Sequence, residues 1–325
     1  MKSVKLTNDD RGRSDYRSPL PFFNKGGNVL DLKRNRLLRL HHLPSMTRGL
    51  LRRMLRQDES LESFFNLSPQ ALHQTLQIPL ERAKRLYHEL HDVHEQSRFE
   101  AQLKNIATVT IFDSLYPPLL KKIPDPPFVL YCLGNRQLLK KTPSISIIGS
   151  RRPSQEGPKK LEYIATPLIK EGWMVVSGLA YGIDRLAHEL TLRYDGATIA
   201  VLGSGFYHLY PQSHRKLFES IVKCGLVISE YPPYRRPRKF HFPERNRIIS
   251  GLTKATLVIE AEEKSGTNIT VDFALEQGRE VYAVPGSILH SKARGCHRMI
   301  QEGAKLVMDA SDILEDKDLF SFSSF

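Results

Sequence analysis

Cysteine is scarce in this sequence. Cys132, Cys224 and Cys296 are the three in 325 residues, and they lie far apart. With no C-x-x-C pair and no histidine at zinc-ligand spacing, neither a disulfide framework nor a zinc site is expected, and a reducing compartment fits best. No apolar run is long enough to span a bilayer, and the opening "MKSVKLTNDDRGRSDYRS" lacks the apolar centre of a signal peptide. A cytoplasmic protein with no membrane insertion is therefore expected. The G-x-G-x-x-G order of a dinucleotide site is missing from "GSRRPSQEG", and the "GSG" around Ser204 is not a nucleophile elbow. Asp184 and His188, four apart on a helix, have no third ligand in register, so no metal and no cofactor is expected.

Acidic residues are also outnumbered. The formal charge is +13 and the isoelectric point about 9.6, which favours a polyanionic partner such as nucleic acid or an acidic membrane face. A length of 325 residues and a hydrophobic fraction of 40% allow one large folded domain beside a small one.

Residues 1–31 are polar and end in "SPLPFFNKGG", the composition of a tail. Over 32–104, "LLRLHHLPSMTRGLLRRML" and "LSPQALHQTLQIPLERAKRLYHELHDVHEQ" carry apolar residues at helical spacing, broken at Pro44 and Pro79. They predict a small all-helical domain. Its turns lack the glycines of a helix-hairpin-helix, so ordinary helix pairs are expected.

From 105 to 310 the pattern changes. After the strand-like "ATVTIF" and "FVLYCLG", the runs "SISIIG", "WMVVSG", "ATIAVLG", "GLVISE", "ATLVIEA" and "REVYAVPG" are separated by amphipathic stretches such as "IDRLAHELTLR". This alternation predicts an α/β fold with a doubly wound, mostly parallel sheet. Residues 311–325 are left as a C-terminal tail.

In such a sheet the ligand crevice lies outside the carboxyl ends of the strands. Those ends read Gly149-Ser150-Arg151, Ser177-Gly178-Leu179, Gly203-Ser204-Gly205, Ser229-Glu230 and Ser265-Gly266-Thr267. Glycine permits close backbone approach, hydroxyls donate, and a following helix N-terminus exposes N–H groups, so several such loops on one edge form an anion track. For any one loop, a glycine chosen for a tight turn is the structural alternative. The segment "YRRPRKFHFPERNR" adds Arg235, Arg236, Arg238, Lys239, Arg245 and Arg247, interleaved with Phe240, His241 and Phe242. Basic groups neutralise phosphates while aromatic faces stack on unpaired bases, so a single strand is the expected ligand. Arg245, Asn246 and Arg247 are expected at a rigid loop-to-helix junction, aimed at phosphates. Strand alternation would bury either Phe240 or Phe242.

The ordered set "IIGSRRPS", "VVSGLAYGIDRLAH", "TIAVLGSGFYHLYP", "LVISEYPP", "FPERNRIISGL", "VIEAEEKSGTNITVDFALEQGREVYAVPG" and "GCHRMIQEGA" resembles the DNA-processing protein A (DprA/Smf) family from about residue 107 to 310. The resemblance implies an extended Rossmann-like fold preceded by a sterile-alpha-motif-like helical domain. It further implies a homodimer that binds and protects single-stranded DNA entering during natural transformation and loads the RecA recombinase on it, without catalysis. It places the family's first-strand arginine on Arg151, its S-G-x-A turn on Ser177, Gly178, Leu179 and Ala180, its F-P-x-R-N-R on Phe242 to Arg247, and its S-G-S/T turn on Ser265 to Thr267. Lys239 and Phe242 fall where the family's phosphate-binding lysine and base-contacting aromatic are expected. His297 stands where the family pattern has Asn.

Candidates for the dimer surface are Ile288, Leu289, Met299 and Ile300, with the core face of a last helix as the alternative for Met299 and Ile300. The rival function is a nucleotide-cleaving phosphoribohydrolase of the same fold group. Aligning Gly266-Thr267 on that group's G-T-x-x-E puts Thr270 where a carboxylate is required, so no catalytic residue is assigned.

Overall fold

The computed structural model describes residues 29–316. Five helices come first: α1 (Val29–His42), α2 (Arg48–Gln57), α3 (Pro69–Leu76), α4 (Leu80–His91) and α5 (Val93–Leu103). Their starts follow local chemistry. Thr47 caps α2 by accepting the Leu50 N–H, and Ser68 caps α3 by accepting that of Ala71, with Pro69 in the first turn where no donor is needed.

Then β1 (Ala107–Thr110), α6 (Pro118–Lys121) and β2 (Val129–Gly134) lead into the alternating part. It runs β3 (Ser144–Ile148), α7 (Gly157–Lys170), β4 (Met174–Ser177), α8 (Ile183–Arg193), β5 (Thr198–Leu202), α9 (Arg215–Cys224) and β6 (Leu226–Ser229). It continues with α10 (His241–Gly251), β7 (Ala255–Val258), α11 (Gly266–Glu276), β8 (Glu280–Ala283), α12 (Ser291–Gln301), β9 (Lys305–Leu306) and α13 (Ser311–Leu314).

Among the described residues the strands form one sheet in the order β1-β2-β6-β5-β4-β3-β7-β8-β9. From β6 to β9 all neighbours are parallel, while β1 and β2 close one edge antiparallel. The six strands seen as unbroken apolar runs are those from β3 to β8, and β3 through β7 are buried along their whole length, as helices on both faces require. The chain winds outward from β3 through β6, returns to pair β7 on the other side of β3, and so creates a switch point between Ile148 and Val258.

Alternate side chains of the strands enter different cores. Ile148, Val176, Val201 and Ile228 pack with Ile248 and Ile249 of α10. On the opposite face Ile145, Ile147, Val175 and Leu257 meet α7 and α8. The rest of that second face, Val129, Tyr131, Ala200, Leu202 and Val227, is covered by the N-terminal helices through Leu37, Leu40, Leu51 and their neighbours. The helical region is thus not closed on itself. Helices of 8 to 14 residues gain most of their stability from such a buried face.

Two expected boundaries move. The tail assigned to 1–31 ends earlier, because Val29 to Asp31 already belong to α1, whose first turn Asp31 complements electrostatically. Residues 1–28 lie outside the described residues. The C-terminal tail assigned to 311–325 is folded as far as residue 316: Ile313 is buried and Asp316 accepts hydrogen bonds from Tyr282 and Lys305. Residues 317–325 lie outside the described ones.

The shared core gives a first prediction. Leu51→Ala should destabilise the protein by about 2–5 kcal/mol. Trp173, the single tryptophan, sits in the neighbouring core on the same face of the sheet, beneath α7 and α8, so its fluorescence reports unfolding there. Urea transitions followed by Trp173 and by helical circular dichroism should shift together; a helical transition that shifts alone would show that the five helices unfold as a separate unit.

Candidate nucleic-acid interface

The switch point opens a crevice of about 350 Å³ on the carboxyl edge of the sheet. One wall is the loop after β3, Gly149 to Arg152; the other is the start of α11, Ser265 to Thr267, with Thr270 below; Ala180, Arg245, Asn246, the apolar Ile148 and Ile249 and the carboxylates of Asp184 and Glu262 complete it. Arg151 and Arg152 are exposed. In the first turn of α11 the Asn268 N–H donates to the Ser265 carbonyl at 3.2 Å, while those of Gly266 and Thr267 have no partner within the helix. Ser265 turns its hydroxyl to Asn268 instead of capping them. A Cβ added at Gly266 would meet nothing within 4 Å, so that turn is open to a ligand. Cationic groups and a helix N-terminus facing each other across a narrow gap make an anion site. Arg151 and Arg152 also line an adjoining hollow of about 660 Å³ with Tyr181 and Arg185, which extends the basic surface past the crevice.

The structure gathers Gly149, Ser150, Arg151, Ala180, Arg245, Asn246, Ser265, Gly266 and Thr267 here, and gives other expected residues a different task. Ser177 is fully buried and donates to the Ile147 carbonyl at 2.7 Å. Leu179 is buried in a left-handed conformation (φ 53°). A Cβ at Gly178 would strike the Arg245 guanidinium, at Gly203 the Phe242 ring, and at Gly205 the carbonyls of Pro232 and Pro233. These three glycines make room for the protein's own groups, so the close approach they permit is intramolecular.

The two arginines of the R-N-R segment are corrected most. Arg247 is buried: its Nη2 binds both oxygens of Glu230 at 2.7 and 2.9 Å, Nε donates to the Asp125 carbonyl at 2.8 Å, and Nη1 to the Glu244 carbonyl at 2.9 Å. With its donors so committed it does not reach a phosphate. Burial pushes the Glu230 carboxyl up, but Arg247 and Arg48 outweigh it and hold Glu230 below its ordinary value of 4.5. Arg48 joins the same cluster from α2, reaching Asp125, Glu230 and Glu244.

Arg245 is also buried, and its Nη1 donates to the carbonyls of Gly178 and Val201 at the ends of β4 and β5. Burial lowers its pKa to about 10 against the opposing pull of Asp184. Asp184 accepts the Gly178 N–H at 3.2 Å, and burial raises its pKa despite the neighbouring Arg245. Arg245 therefore contributes charge to the crevice from behind its wall.

The aromatic groups were only partly foreseen. The segment enters α10 at His241, so strand alternation does not apply: Phe240 is exposed, His241 is buried in a 4.0 Å stack on Tyr231, and Phe242 is half-buried against Gly203 and Tyr210. Exposed Tyr210 lies against Phe242, and exposed Lys239 and Phe240 come just before it in the chain. The tyrosines of "GFYHLYP" and "PPYRR" were missed; their position directly after β5 and β6 was the available signal. Of the dimer candidates, Ile288 and Leu289 are 77% and 86% exposed. Met299 is buried in the core and Ile300 packs beside it, because α12 turns that face to the sheet. His297 Nε2 lies 3.0 Å from the Gly286 carbonyl and ties down the loop after β8.

The profile of the DNA recombination-mediator protein A family matches residues 107–318. The DNA processing protein DprA of Bacillus subtilis is 44% identical over 213 residues, covering 66% of this chain and 72% of that protein. That of Streptococcus pneumoniae is 44% identical over 230 residues, covering 71% and 79%. The X-ray structure of the S. pneumoniae protein superposes with a TM-score of 0.76 at 36% identity, over 89% of this chain and 98% of that one. A structure of DNA processing protein A from Helicobacter pylori, described for its single-stranded DNA binding mode, gives 0.60 at 27% identity, over 67% and 99%.

The charge cluster behind the crevice is testable by stability. Arg247→Ala leaves Glu230 buried without its bidentate partner and should cost about 3–5 kcal/mol at neutral pH. Because the folded pKa of Glu230 is depressed, its stabilisation is complete above the ordinary value of 4.5 and disappears as pH falls through the lower folded value. The stability gap between wild type and Glu230→Gln, measured by urea unfolding, should narrow on acidification; a gap constant from pH 7 to pH 3 would refute the assignment.

Proposed function

The chain belongs to the DNA recombination-mediator protein A family, and from that premise we propose that it binds single-stranded DNA along the carboxyl edge of its sheet and passes the strand to a RecA-type recombinase. The observation that carries the binding step is the crevice itself: exposed Arg151 and Arg152 face the open Gly266 turn of α11. A phosphate fits between them. Lys239 and the rings of Phe240, Phe242 and Tyr210 lie on the next loops, where stacking needs bases not hidden in a duplex. The H. pylori relative, described for single-stranded DNA binding, supports the same ligand class. Protection of the incoming strand, delivery to RecA during transformation, action as a homodimer and a cytoplasmic location complete the proposal. Exposed Ile288 and Leu289 remain the candidates for the dimer contact.

Binding without turnover is part of the reading. Thr270, aligned with the hydrolase glutamate, lines the crevice as a buried hydroxyl, and Asp184 is engaged by backbone N–H groups. Nucleoside monophosphates should release no free base; release abolished by Asp184→Asn would restore the hydrolase.

A gel shift with matched single-stranded and duplex oligonucleotides tests the ligand. Single-strand affinity should fall with salt by roughly 0.7 logarithmic units per phosphate neutralised. Arg151→Ala should lower that slope by about one contact and weaken all sequences alike, with little change in stability because the side chain is exposed. Equal affinity for blunt duplex, or indifference to salt, would sink the proposal.

A further inference from the structure

A second basic hollow lies on the seam between the N-terminal helices and the loop that leads into α10. It has a volume of about 700 Å³ and is lined by Arg98 of α5, by Arg235, Arg236 and Arg238, and by Tyr234. Arg235, Arg236 and Arg238 have no carboxylate within ion-pair distance among the described residues. Glu89, which acts on Arg235 through space, is already held by the N–H and hydroxyl of Ser45. Like charges brought together without counter-charge repel one another, and the fold tolerates this where a polyanion completes the site.

The rim of this hollow is aromatic. Tyr234, 54% exposed, lies against Tyr207, 49% exposed, with ring centroids 4.4 Å apart. Tyr207 and Tyr210 sit on the same loop after β5, and Tyr210 in turn lies 5.3 Å from Phe242. The loop is fixed to its neighbour by Gly205 N–H to the Arg235 carbonyl at 2.8 Å and Tyr207 N–H to the Pro233 carbonyl at 3.1 Å. Tyr207 with Tyr234 and Tyr210 with Phe242 thus make two ring contacts between the loop after β5 and the segment that runs from Tyr234 into α10.

Resting on the single-strand reading of the crevice, we propose that this seam is a second nucleic-acid subsite, in which Arg98, Arg235, Arg236 and Arg238 take phosphates and Tyr234 with Tyr207 stacks bases of the same strand. An acidic polypeptide would answer the charge but would have no use for paired exposed rings at the rim. Each planar ring face instead suits an unpaired base, independent of its identity. The helical region thereby becomes part of the binding surface, and the strand it serves is longer than the crevice alone accommodates.

The test compares oligothymidylates of about 6 and about 24 nucleotides, one near the lower end of the usual site sizes of single-strand binders and one beyond the upper end. The proteins are the wild type and the double variant Arg98→Ala/Tyr234→Ala, whose altered side chains are both exposed. The variant should keep wild-type affinity for the short strand and lose roughly tenfold or more on the long one, as expected for one lost stack and one lost phosphate contact. Tyr234→Phe with Arg98 intact should restore the long-strand affinity. Unchanged long-strand binding by the variant would overturn the subsite, and so would equal losses on both lengths, which would assign the two residues to the crevice. Loss caused by Arg98→Ala alone, with Tyr234→Ala silent and polyglutamate competing as well as DNA, would overturn it in favour of an acidic protein. Failure of the wild type to bind even the short strand would refute the crevice reading itself, and the subsite with it.

Discussion

The bridge between Arg247 and Glu230 is the constraint around which the binding edge is arranged. Glu230 directly follows β6, Arg247 is in the middle of α10, and Arg48 reaches the same carboxylate from α2. One buried anion thus fixes a strand end, the helix beside the crevice and the N-terminal helical layer relative to one another. Desolvating these groups is costly, and well-packed apolar residues could match the bridge in stability. What the ion cluster adds is geometry: a guanidinium fork donates to its carboxylate and two carbonyls in one orientation only. That orientation sets the rotation of α10.

The consequence follows from helical pitch. Residues two apart on a helix project about 200° from each other, so Arg245 and Arg247 cannot face a common ligand once α10 begins at His241. With Arg247 turned to Glu230, Arg245 enters the gap between β4 and β5, where it binds the carbonyls of Gly178 and Val201 that the sheet leaves at its edge. Asn246, between them, faces the crevice. The segment is a wedge that ties the ends of β4 and β5 to α10, and the exposed positive charge of the crevice lies on Arg151 and Arg152.

This explains how far the sequence could be read. The strands from β3 to β8 were legible because parallel strands buried on both faces appear as unbroken apolar runs between amphipathic stretches, and the crevice followed from the rule for their carboxyl ends. The roles within the crevice were less legible, because composition does not reveal direction. Gly178, Gly203 and Gly205 look like ligand-facing glycines, yet each admits a bulky group of the same chain. Only Gly266 among the glycines weighed at these strand ends is open on the side away from the protein. Likewise the merging of the helical region with the sheet core depends on which faces of α1 and α2 meet Tyr131 and Val227, a long-range pairing that helical periodicity does not encode.

The division between buried and exposed charge also accounts for the kind of ligand the edge suits. A small-molecule enzyme concentrates convergent polar groups around one reacting atom in an enclosed pocket. Here the buried polar groups, Arg245, Asp184, Glu230 and Arg247, are turned on one another and hold backbone, while exposed arginines and a lysine are distributed over successive loops with aromatic rings between them. Such a surface has no single point of highest complementarity. It matches a ligand that repeats, presenting a charge and a flat ring at each step, and it binds by summing contacts of which none is indispensable. The rigid arrangement beneath is what allows that sum: loops anchored by buried ion pairs and packed glycines lose little conformational entropy when the strand is laid along them.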